Sequence, residues 1–103
     1  MTGKKGVEDM GRYLTDCSPE CAFWVNNGPI LKNLQELSEA LRHMQDDQFV
    51  HHVNREKNDF CKWIDEVIGD HHLAAALGKA RTRTATLKKV NERLAALGKK
   101  VAS

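Results

Sequence analysis

Five histidines and three cysteines are the residues of this sequence best suited to chemistry: His43, His51, His52, His71 and His72, with Cys17, Cys21 and Cys61. Imidazole and thiolate are the usual ligands of zinc, and Cys17 and Cys21 stand in a C-x₃-C spacing that such ligands can take. A tetrahedral site needs a second pair of ligands. The remaining histidines come as the neighbours His51-His52 and His71-His72, and adjacent rings on a helix diverge by about 100°. Cys17 and Cys21 are therefore candidate metal ligands with no second pair, and no metal or other cofactor is expected. On oxidation the same two thiols could close a local disulfide. Cys61, flanked by Phe60 and Trp63, reads as a small buried hydrophobe rather than a nucleophile.

Catalysis has no anchor in the remaining residues. There is no G-x-S-x-G turn, no glycine-rich phosphate loop and no carboxylate pair set among apolar residues. Asp65 and Glu66 fall on the solvent side of a helix. Asn54, Lys57, Asn58 and Asp59 form a dense polar cluster, but Asn and Asp are the residues that end one helix and cap the next. Structural capping is the reading adopted for them. His52, on the same turn, is in reach to hydrogen-bond across that junction as a core or boundary histidine. The chain is expected to be non-enzymatic, with no catalytic residues.

The elements that must position these groups can be read from periodicity and caps. Cys21–Val25 and Pro29–Leu31 flank Asn26-Asn27-Gly28, a hairpin signal with a type I′ turn expected, Pro29 making the second arm a short edge strand. Asn33, followed three residues later by Glu36, opens a helix with Leu34, Leu37, Leu41 and Met44 on one face. Asp46 is the expected cap of a short helix facing Phe49, Val50 and Val53 inward, ended by Asn54. Asn58 or Asp59 caps a third, with Phe60, Trp63, Ile64 and Val67 inward and Gly69 as its left-handed stop. Asp70 caps His71–Leu77, which Gly78 stops, and a last helix runs to about Leu97. Residues 1–16 lack a sustained period and are expected to be flexible, with a helical turn near Val7 to Tyr13.

At 103 residues the chain is long enough for one domain only. Its 41% hydrophobic and 29% charged content is that of a folded protein. No apolar run approaches the ~20 residues of a membrane span. An odd cysteine number, with no apolar leader after the basic Met1–Gly6, points to a reducing compartment, and a cytoplasmic location is expected. Charge is unevenly spread: eight Lys/Arg face thirteen Asp/Glu over residues 1–78, whereas residues 79–103 hold eight Lys/Arg and the single acid Glu92.

That basic segment supports three readings. Lys79, Arg81, Arg83, Lys88, Lys89, Arg93, Lys99 and Lys100 could neutralise nucleic-acid phosphates, with Thr82, Thr84 and Thr86 donating to them, although no stacking aromatic lies among them. The competing reading is a heptad stripe. Leu73, Ala80, Leu87, Leu94 and Val101 recur every seven residues, with Val90 and Leu97 between, and the pattern holds over two heptads. Leu87, Val90, Leu94, Leu97 and Val101 would then form an oligomer interface. A third arrangement docks the basic helix onto the acidic body of a neighbouring subunit.

The block His52-Val53-Asn54-Arg55-Glu56-Lys57-Asn58-Asp59-Phe60-Cys61-Lys62-Trp63-Ile64 resembles the H-V-N-x-x-K-N-D-F-x-x-W-I signature of a widespread family of small prokaryotic domains of unknown function. Phe23 and Gly28, the Leu34–Leu41 helix and Leu73-Ala74 extend the likeness over about half the chain. The resemblance implies a compact helical module and brings no reaction, cofactor or mapped site.

Together these readings give a mainly α fold of four or five short helices with a small N-terminal β-hairpin. The expected organisation is a flexible 1–16, a helical core over 17–78 and a basic amphipathic helix over 79–103. The expected function is a protein-interaction module that self-associates, as a dimer, through its last helix. The alternative is nucleic-acid binding by the basic segment. Neither a membrane nor a small-molecule substrate is expected as a partner.

Overall fold

The computed structural model describes residues 13–98. The fold is mainly α, with five helices and one two-stranded antiparallel hairpin among the described residues. Strands β1 (Phe23–Trp24) and β2 (Ile30–Leu31) pair with Phe23 opposite Leu31 and Trp24 opposite Ile30. Strand alternation turns Phe23 and Leu31 into the core and leaves Trp24 and Ile30 outside. So short a hairpin needs support from the rest of the fold. Phe23 supplies it by stacking on Phe60 at 4.8 Å and meeting Trp63 edge-on at 5.8 Å.

The turn differs from the type I′ expectation. That geometry needs positive φ at both central residues. Here Asn27 alone has it, at +56°, and the Gly28 N–H closes onto the Val25 carbonyl at 2.9 Å. Gly28 is demanded by space instead, because a Cβ there would stand 2.8 Å from Val25 Cγ1.

Helix α1 (Leu34–His43) begins at Asn33, whose side chain accepts the Glu36 N–H at 2.8 Å. Glu36 reaches back one residue further than a capping box would, accepting the Lys32 N–H at 2.7 Å. Leu34, Leu37 and Leu41 are fully enclosed. Helix α2 (Asp46–His52) is capped by Gln45 rather than by the expected Asp46, whose carboxylate faces Arg83 instead. Phe49 and Val53 point inward, but Val50 is exposed, contrary to expectation. The inward position on that turn is taken by His52.

Helix α3 (Asp59–Trp63) is capped by Asn58, which accepts the Cys61 N–H at 2.9 Å, and runs on into a wide π turn over Ile64–Ile68. Gly69, at φ +84°, closes it in the left-handed conformation. Helix α4 (His71–Leu77) starts from Asp70, and α5 (Arg83–Ala96) from Thr82, each side chain accepting the N–H three residues on.

Helix α5 lies along α1. Ser38 Oγ donates to Asn91 near the middle, and Arg83, at the start of α5, donates to the Leu41 carbonyl near the end of α1 at 2.8 Å. Val90 and Leu94 are completely buried and Leu97 nearly so, while Leu87 packs partly against the same core. From Leu87 to Leu97 the stripe expected to face another subunit is therefore part of this molecule's own interior, and the division at residues 78/79 separates no independent unit. Burying the stripe against α1 and α4 removes it from water within one chain, which is what an oligomer would otherwise have done.

Of the segment expected to be flexible, residues 1–12 lie outside the described residues, as does most of the helical turn expected near Val7 to Tyr13. Tyr13 and Leu14 pack against the core, and Asp16 accepts from Asn33 Nδ2 at 2.6 Å. Among the described residues no helix is long and apolar enough to cross a membrane.

Candidate functional site

The densest polar constellation is the junction of α2 and α3. His52 Nδ1 lies 3.0 Å from Asp59 Oδ2, and Lys57 Nζ is 3.0 Å from the same oxygen. A His–Asp pair of this kind serves as a general base where the second ring nitrogen is open to a substrate. Here Nε2 accepts the backbone N–H of Asn26 at 2.9 Å and the residue is only 5% exposed. Both nitrogens are committed, Nδ1 as donor and Nε2 as acceptor, which fixes a neutral tautomer. Burial pushes the His52 pKa below its ordinary 6.5 despite the opposing pull of Asp59. Burial works to raise Asp59, but the His52 and Lys57 hydrogen bonds outweigh it and hold the carboxyl low.

The other residues of this block are equally occupied. Asn54 Nδ2 donates to the Val50 carbonyl, Asn58 Nδ2 reaches the Leu77 carbonyl, and Trp63 Nε1 donates to the Cys21 carbonyl at 2.8 Å. The cluster from His52 to Ile64 ties the hairpin, α2, α3 and α4 together. Its capping reading agrees with the geometry.

The candidate metal ligands Cys17 and Cys21 are joined by no second pair among the described residues. Cys17 is half-buried and Cys21 exposed, and no group of three or more His, Cys, Asp or Glu converges among the described residues. Burial raises the Cys17 thiol and also Cys61, whose Sγ donates to the Ala74 carbonyl. Neither is poised as a thiolate.

The basic residues are largely spent inside the molecule. Arg93 makes a two-pronged bond to Asp70 at 2.7 and 3.1 Å, and its guanidinium lies 5.7 Å from the centre of the Tyr13 ring. Arg83 donates to the Leu41 carbonyl and faces Asp46, and Arg81 donates to the Asn54 carbonyl. Lys89 lies 3.8 Å from Glu92. Lys79 and Lys88 point to solvent, while Lys99, Lys100 and Val101 fall outside the described residues. The basic helix thus docks on the acidic body of its own chain, the arrangement expected between neighbouring subunits.

One surface has no such internal use. On the outer side of the hairpin Trp24 is 71% exposed and stands directly across from Ile30, at 46%. Ile30 also walls a groove of about 390 Å³ between the hairpin and α1, floored by Leu31, Ala40 and Met44. Glu36, Glu39, His43 and Gln48 rim it. The Glu39 carboxyl is held low by its hydrogen bond to His43, with Arg42 adding to the effect. The hairpin tip is fixed in place: Gln48 Nε2 donates to the carbonyls of Asn26 and Asn27 at 2.9 and 3.1 Å, and His52 holds the Asn26 N–H.

Trp24, Ile30 and the groove were not among the residues singled out from the sequence. The signal was present, since the alternation that sends Phe23 inward must send Trp24 outward. It is hidden by Cys21–Val25 being an unbroken apolar run, in which two inward registers are equally plausible on composition alone.

No family model matches the chain, no curated protein is similar to it at a significant level, and neither is any solved structure.

Proposed function

We propose that this chain is a non-enzymatic protein-interaction module whose contact surface is the outer face of the hairpin with its adjoining groove. The observation that carries the reading is the pair Trp24–Ile30: a tryptophan and an isoleucine side by side in solvent, on a hairpin whose tip two helix side chains hold rigid. Exposed apolar residues grouped beside a concavity mark binding surfaces, and Trp is the residue most often found to dominate them. A rigid presentation spares the ordering entropy that binding otherwise costs.

Self-association through Leu87–Val101 loses its support because Val90 and Leu94 are enclosed. Among the described residues, nucleic-acid binding keeps only the outward lysines of α5 and its approach, since the three arginines of that segment bond to the chain itself. The non-enzymatic reading draws support from the buried His52–Asp59 pair, in which the histidine has no free ring nitrogen.

Selection of a displayed library of random short peptides against the immobilised protein tests this reading. Recovered peptides should lose binding by at least about tenfold, some 1.4 kcal/mol, on Trp24→Ser and on Ile30→Ser. Peptides that bind both variants as well as the parent, or a selection that enriches nothing, would refute it.

A further inference from the structure

We infer that the groove beside the hairpin receives a basic amphipathic helix from a partner protein. The inference rests on the hairpin face being the contact surface and adds what lies on it. Its lining is largely aliphatic, with Ile30 as a wall and Leu31, Ala40 and Met44 as floor, and its volume of about 390 Å³ is at the small end of protein binding pockets. Such a groove takes a few apolar side chains from one element, the way an amphipathic helix lays its i, i+3, i+4 residues into a cleft. Trp24 extends the apolar strip beyond the groove along the hairpin.

The rim selects the charge of the occupant. Glu36 and Glu39 stand on the α1 side, Glu39 sharing its charge with His43 at 3.0 Å and Arg42 at 3.2 Å. Across residues 13–53, which build the hairpin, α1 and α2, the sequence carries the cations Lys32 and Arg42 against Asp16, Glu20, Glu36, Glu39, Asp46 and Asp47, and among the described residues only Asp46 is met by a cation from α5, Arg83. A partner carrying Lys or Arg on the flanks of its apolar stripe meets opposite charge on docking, which speeds encounter and fixes orientation. A second copy offering this same face would bring carboxylates against carboxylates. The basic helix of this chain cannot serve in cis, because the apolar stripe of α5 is already enclosed against α1.

Model peptides test the inference on the intact protein. The probe is a helix of about 14 residues built from Leu and Lys, with leucines at i, i+3, i+4 and i+7; isolated helices need about this length. Two controls share its length: a sequence-scrambled isomer and a Leu/Glu analogue. Tryptophan emission, in which the exposed Trp24 and not the buried Trp63 should respond, and amide NMR shifts report binding, as the peptides contain no tryptophan. The Leu/Lys helix should bind at least about tenfold more tightly than either control and weaken between about 50 and about 500 mM salt. Glu36→Gln with Glu39→Gln should weaken it several-fold, and Glu36→Lys with Glu39→Lys should transfer preference to the Leu/Glu peptide. Glu56→Lys with Glu66→Lys, away from the groove, should change little.

Equal or tighter binding of the Leu/Glu peptide, no binding of the Leu/Lys peptide, or equal loss with the distant pair each overturns the basic partner. If acidic or neutral peptides bind and still need Trp24, the hairpin surface stands and only the charge of its partner is wrong. If binding ignores Trp24→Ser, both fall.

Discussion

Asn26 donates its backbone N–H to Nε2 of His52 across 2.9 Å, joining the tip of the hairpin to the end of α2. The same ring is held from its other side by Asp59, near which sits Lys57, while His51 meets it edge-on at 4.9 Å. A proton on Nε2 would leave two donors facing each other, so the folded chain keeps this ring neutral.

The pH dependence of stability follows from that bond. Burial depresses the His52 pKa in the folded state below the 6.5 of an unfolded chain, so on acidification the unfolded state takes up its proton first. The stabilisation is fully present above about pH 6.5 and is lost as pH falls through that value toward the folded pKa. Urea unfolding should accordingly show stability declining between about pH 7.5 and pH 5.5. His52→Gln should cost about 1–3 kcal/mol at the upper pH and flatten the decline. An unchanged slope in the variant contradicts the assignment.

Arg93 and Asp70 give a second prediction. Asp70 is 1% exposed, caps α4 and takes both prongs of the guanidinium. Arg93→Ala would leave a buried carboxylate without its counter-charge and should destabilise the fold by about 3–5 kcal/mol. Arg93→Lys should recover only part of this, since an ammonium cannot form the fork. Were Arg93 a solvent-facing phosphate contact, its removal would leave the unfolding curve unmoved.

The enclosed stripe of α5 yields a third. Leu94→Ala should lower stability by about 2–5 kcal/mol, the range for emptying a packed aliphatic site. Sedimentation should show the same solution mass for variant and parent. An adhesive stripe predicts the reverse pair of results, with stability kept and mass reduced.

Much of this architecture was legible from local rules. Asn33, Asn58, Asp70 and Gly69 perform the capping and stopping roles that their types and positions dictate. The inward faces of α1 and α3 follow from 3.6-residue spacing. What local rules could not supply was partnership at a distance. The stripe from Leu87 onward looks the same whether it covers α1 of its own chain or another subunit, because periodicity defines a face and not what lies against it. The basic charges of α5 likewise read as a free surface until Asp70 and the Leu41 carbonyl are seen beneath them. His52 took the inward place expected for Val50 because it satisfies two polar groups there, a gain that hydropathy does not register.

The measurement that bears most directly on this account is Trp24→Ser read in two ways at once, by urea unfolding and by affinity for a library-selected peptide. A side chain that is 71% exposed and opposite another exposed residue should contribute less than about 1 kcal/mol to folding. The account predicts near-parental stability together with at least about tenfold weaker peptide binding. Parental affinity in a stably folded variant, or a loss of several kcal/mol in folding that alone explains weaker binding, would contradict it.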